Sequence, residues 1–102
     1  MSWDTFAPNY TRVAASQTDV AIGTSGTAGG TIRIYNISMS ATGGAGTVTL
    51  EEYNSSTVIA TFQVPSGVSF TLGGNGFLCR NGLQVTTSAN VECTIFHSNV
   101  GA

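Results

Sequence analysis

The chain has 102 residues, of which 41% are hydrophobic and only 8% charged, with three arginines, no lysine and a net charge of −2. That length holds one domain with a modest core, and the charge balance leaves no basic face to neutralise phosphates, which argues against a nucleic-acid partner. No stretch approaches the roughly 18 apolar residues that a membrane-spanning helix needs, so no membrane partner is expected.

The chain opens MSWDTFAPNY, with neither a basic start nor an apolar run, and is not expected to act as a secretory signal. Residues 1–9 read as an N-terminal arm broken by Pro8, ahead of a single domain at 10–102. Trp3, Phe6 and Tyr10 are spaced through or beside this arm. They either pack back on their own domain or anchor the arm on a neighbouring subunit or larger surface, where aromatic residues are favoured.

Beyond the arm the pattern has period two with punctuation. Runs at Tyr10–Ala15 and Thr18–Ile22 lead into Thr31–Met39, where Ile32 and Ile34 share one face and Arg33, Tyr35 and Ile37 the other. Arg33 with Tyr35, on the less apolar face, reads either as a subunit contact or as plain surface. In Thr47–Tyr53, Val48 and Leu50 oppose Thr47, Thr49 and Glu51. Thr57–Val64 places Val58, Ala60, Phe62 and Val64 together, and Val68, Phe70 and Leu72 follow. Leu83 with Val85, then Val91, Cys93 and Ile95, complete the series.

Between these runs lie GTSGTAGG, ATGGAG, NSS, PSG, GGNG, NG and SAN, which supply the positive φ angles and local hydrogen bonds of turns. None of the glycine-rich stretches continues into Gly-Lys-Ser/Thr, so none reads as a phosphate cradle. Thr, Val, Ile, Phe and Tyr dominate the runs, as suits half-buried strands. The expectation is an all-β domain: an antiparallel β-sandwich of about eight short strands, jelly-roll-like.

The stretch GFLCRNGLQVTT (Gly76–Thr87) raises the possibility of a reactive centre, because it holds Cys79 beside Arg80. Asn81-Gly82 between apolar runs is a strong hairpin signal, with Arg80 and Leu83 flanking a type I′ turn and Cys79 facing Gln84. Cys93 and His97 share a strand face but stand about 13 Å apart along it, too far to pair. Both cysteines therefore read as small buried hydrophobes, and Cys79 meets the single histidine only if the tertiary fold brings them together. Glu51 and Glu52 are adjacent on a strand and point to opposite faces, so they do not flank one glycosidic bond. Two cysteines are too few for a disulfide scaffold or a zinc site. No catalytic residues, metal or cofactor are expected, and synthesis in a reducing cytoplasm is the default.

The runs YTRVAASQTDVAIGTSGTAGGTIRIYNI, GTVTLEEYNSSTVIATF and NGLQVTTSANVECTIF resemble a recurring type of small protein encoded by tailed bacteriophages. The resemblance covers about Tyr10 to Phe96 and rests on strand and turn patterns. It implies a virion structural role like that of head decoration (cement) proteins: β-sandwiches that sit as homotrimers on the major capsid protein and reinforce the shell. The competing expectation is a tail or fibre component whose β-sandwich binds a receptor or glycan.

Overall fold

The computed structural model describes residues 9–22 and 31–100. They form eight strands: β1 (Asn9–Val13), β2 (Val20–Ala21), β3 (Thr31–Ala41), β4 (Gly46–Glu51), β5 (Val58–Val64), β6 (Ser69–Cys79), β7 (Gln84–Thr87) and β8 (Val91–Val100). No helix occurs among the described residues. One sheet has the order β1-β8-β3-β6 and the other β2-β7-β4-β5, with every pairing antiparallel.

The connectivity follows a simple rule. β4 pairs with β5, β3 with β6, β2 with β7 and β1 with β8. The chain is thus one long hairpin with its tip between β4 and β5. Rolling it up adds the β3·β8 and β4·β7 ladders and splits it into two facing sheets. This is a jelly roll, and all eight runs of the sequence appear in it as strands.

The alternation within strands builds the core. Val13, Ile32, Ile34, Met39 and Ile95 from one sheet meet Val48, Leu50, Val64 and Val85 from the other. Phe62, Phe70 and Ala60 pack against this cluster while remaining partly exposed. Val58, Val68 and Leu72, which share the period of those residues, stay substantially exposed.

Two sequence expectations are corrected. Ile37 lies in the core with Ile32 and Ile34, not on the face of Arg33 and Tyr35. Opposite β8, Ile34 faces His97 and Asn36 faces Phe96, leaving Tyr35 as an extra residue. That β-bulge shifts the alternation by one, so Ile37, Met39 and Ala41 turn inward.

The second correction concerns Asn81-Gly82. It does not close a hairpin, because β6 and β7 belong to different sheets. Only Gly82 has a positive φ, 81°, whereas a type I′ turn needs two such residues. The turn carries the chain from one sheet across to the other, and Gln84 pairs with Ala21 and Glu51 instead of Cys79.

Gly46 marks a close approach between β4 and the turn before β8. A Cβ there would stand 2.8 Å from the Ala89 carbonyl oxygen, 2.8 Å from Ser88 Oγ and 2.9 Å from Val91 Cβ. The approach is held by Thr47 N–H donating to Ser88 Oγ at 2.8 Å and Ser88 N–H donating to the Thr47 carbonyl at 3.0 Å. Gly46→Ala is expected to destabilise the domain by about 1–3 kcal/mol through overpacking against backbone. Urea unfolding should show a lower midpoint at unchanged slope; an unchanged midpoint would contradict the close approach.

Candidate association surface

Each sheet has a bare end strand on the same side of the sandwich, β6 in one and β5 in the other. Their sequences, SFTLGGNGFLC and VIATFQV, contain no charged residue. Of the six large hydrophobic residues exposed among the described residues, five lie on these strands or the turn joining them: Val58, Ile59, Val68, Leu72 and Leu78. Edge strands present unpaired N–H and C=O groups and are commonly guarded by lysine, proline or bulges. Here a bulge at Ile59, opposite the Leu50–Glu51 step, interrupts β5, and the register of β6 jumps between Gly73 and Phe77 opposite the Ile34–Asn36 step.

At one end of this edge a cavity of about 300 Å³ opens between the two sheets. Ile59 and Leu78 wall it, with Arg80 and Glu52 at its polar side. The Glu52 carboxylate accepts a hydrogen bond from Asn81 Nδ2 at 3.2 Å. The exposed Arg80 guanidinium makes no ion pair or hydrogen bond with any described residue.

Of the sequence-predicted binding residues, three fall among the described residues. Trp3 and Phe6 lie outside the described residues. Tyr10 is 69% exposed on β1, at the opposite edge of its sheet from β6, with its ring centroid 6.2 Å from that of Phe96. Arg33 and Tyr35 are half-buried on β3, an interior strand, and the Tyr35 hydroxyl lies 3.3 Å from Ser98 Oγ. Phe96 is opposite Tyr10 in one ladder and opposite Asn36, beside Tyr35, in the other, and Arg33 is opposite Ser98. Tyr10 therefore lies two strands from Tyr35 and Arg33 on the outward face of one sheet. Sequence reading missed the β5–β6 edge because those aliphatic residues follow the same alternation as core residues, and nothing local marks an end strand.

A second cavity, about 390 Å³ and polar, is lined by Asp19, Glu51, Asn54, Ser55, Ser56 and Gln84. Gln84, also missed, is the post that holds it. Its side chain is buried, its Oε1 accepts from Asn54 N–H at 3.0 Å, and its Nε2 donates to Ser55 O at 3.1 Å and Glu51 Oε1 at 3.3 Å. Asp19 Oδ1 accepts from Thr86 Oγ1 at 3.2 Å. Glu51 and Glu52 face these two separate cavities, as their adjacency requires.

The cysteines and the histidine sit in the core. Burial raises the Cys79 thiol, and burial together with the neighbouring Glu92 carboxylate pushes Cys93 up to about 11, so the reactive thiolate is disfavoured at both. Val91, Cys93, Ile95 and His97 share one buried face of β8. Cys79, on β6, is separated from His97 by the intervening strand β3. His97 Nε2 instead meets Thr11 Oγ1 on β1 at 2.9 Å, while its Nδ1 is buried without a partner among the described residues. Burial lowers the histidine's proton affinity.

No protein-family model matches this chain, and no curated protein matches it.

Proposed function

We propose that the chain is a virion structural protein, a decoration protein that binds the outer surface of a phage head as a trimer and stabilises it. The observation that carries this reading is the charge-free β5–β6 edge with its five exposed aliphatic residues. On a free monomer such an edge invites open-ended pairing; closed symmetric association covers it with a fixed number of copies. Attachment through several equivalent contacts then gains from multivalency, so each contact can be weak. The phage-like strand pattern of the sequence supports the same assignment.

The polar cavity at Gln84 favours a second reading, a tail or fibre component that binds a glycan. Its carboxylates, amides and hydroxyls are the groups that exchange hydrogen bonds with sugar hydroxyls. Copy number in purified virions separates the two. The decoration reading expects hundreds of copies at a fixed ratio to the major capsid protein. A handful in a multiple of three or six would transfer the protein to the tail, and none at all would remove both structural roles.

A further inference from the structure

We propose that the cavity between β5 and β6 is the receptor for the Trp3–Asp4 pair of a second copy of this chain. The inference rests on the trimer of the preceding reading and names its contact. Three observations carry it.

The first is chemical fit. Ile59 and Leu78 form apolar walls and Arg80 stands at the lip, while Trp3-Asp4 offers a large ring followed immediately by a carboxylate. An indole filling the cavity would lie beside the guanidinium, a favourable cation–π arrangement. A buried indole N–H also needs an acceptor. Glu52, which uses Oε2 for Asn81, has Oε1 without a hydrogen bond among the described residues.

The second is charge. Arg80 is exposed and without an ion-pair partner among the described residues, and Asp4 is the arm's one charged side chain. Their pairing would place a salt bridge at the end of two strands that carry no charge.

The third is placement. The arm joins the domain at β1, and the cavity lies at the other side, beyond β6. Three strand spacings separate β1 from β6, about 14 Å, before any path around the end of the sandwich is counted. Asn9 is level with Phe77 across the sheet, and the six residues from Trp3 to Asn9 span at most about 20 Å, so the trimer of the preceding reading, and not reach alone, selects the second copy. A docking segment that joins at one edge, with its receptor on the opposite edge, suits a head-to-tail contact, which closes into a ring when its rotation permits.

Trp3 is the only tryptophan, so its fluorescence reports the contact directly. In the full chain, emission should be blue-shifted and shielded from acrylamide where sedimentation shows an oligomer. Dilution to monomer should move it to the red and raise quenching several-fold. Arg80→Glu should expose Trp3 and dissociate the oligomer at a concentration where the wild type is assembled, with an unchanged far-ultraviolet circular dichroism spectrum. Adding Asp4→Arg to Arg80→Glu should restore both shielding and assembly. Shielding that persists in the monomer would place Trp3 on its own domain and overturn the inference. An intact oligomer with exposed Trp3 would overturn the docking and leave the trimer standing, whereas a monomer at every concentration would sink the trimer as well.

Discussion

Leu50→Ala is expected to lower the stability of the domain by about 2–5 kcal/mol, the range for truncating a fully buried leucine. Leu50 has no exposed surface and lies on β4, an interior strand flanked by β5 and β7. Its partners across the two ladders are Ala60 and Val85. A sandwich is poorly able to collapse onto a void at such a position, because both neighbouring backbones are fixed by their own hydrogen bonds. Small domains have total stabilities of about 5–15 kcal/mol, so the variant would lose a large part of what holds it folded. Thermal unfolding should show a midpoint lower by roughly 10–30 °C. A shift of only a few degrees would mean that the sheets close over the void.

Acidification provides the second large effect, through His97. Burial lowers the proton affinity of the folded imidazole below the ordinary value of 6.5. The unfolded chain therefore binds the proton more readily. The stabilisation is fully present above about pH 6.5 and is lost as pH falls from there toward the lowered folded value. Over that window the slope approaches about 1.4 kcal/mol per pH unit for one proton. The loss should concentrate at the β1·β8 ladder, because the imidazole's partner is Thr11 on the end strand β1. Replacing His97 by Gln removes the titration while keeping a polar side chain. Between pH 7.5 and 5.5 the stability of the wild type should fall more steeply than that of His97→Gln. Parallel curves would show that other groups account for the acid sensitivity.

Much of the fold was legible in the residues. Period-two runs and turn residues located every strand, and the buried face of β8 could be read as Val91, Cys93, Ile95 and His97. What escaped was non-local. The bulge at Tyr35 depends on the register of β3 against β8, more than fifty residues away in the chain, and no residue type near Tyr35 announces it. The Asn81-Gly82 signal was real as a turn. Its consequence differed because the flanking strands found better partners: β6 pairs with β3, and β7 sits between β2 and β4. Local propensity specifies that the chain reverses, while tertiary pairing decides which strands lie side by side.

The candidate surface was less legible for a related reason. Ile59, Leu72 and Leu78 are apolar in the way core residues are, and only the strand order reveals that they border an open edge. Gln84 shows the converse. A polar residue in an apolar run looks like a solvent-facing position, yet it is buried because its three hydrogen bonds anchor the loop after β4. Composition did carry one part of the surface argument, since the absence of lysine already left sheet edges without their commonest guard.

The nested pairing of the strands also orders events in time. Contacts close to the hairpin tip, between β4 and β5, involve short loops, whereas β1 joins β8 across most of the chain, as in the Arg12–Glu92 ion pair at 2.8 Å. Loop closure grows costlier with length, and non-local pairing is slow. During synthesis β1 has no ladder partner until β8 leaves the ribosome. The sandwich can be zipped from its middle outward, but its outermost ladder waits for β8. β1 can settle only once β8 has reached it, so this ladder is the last part of the sandwich to lock.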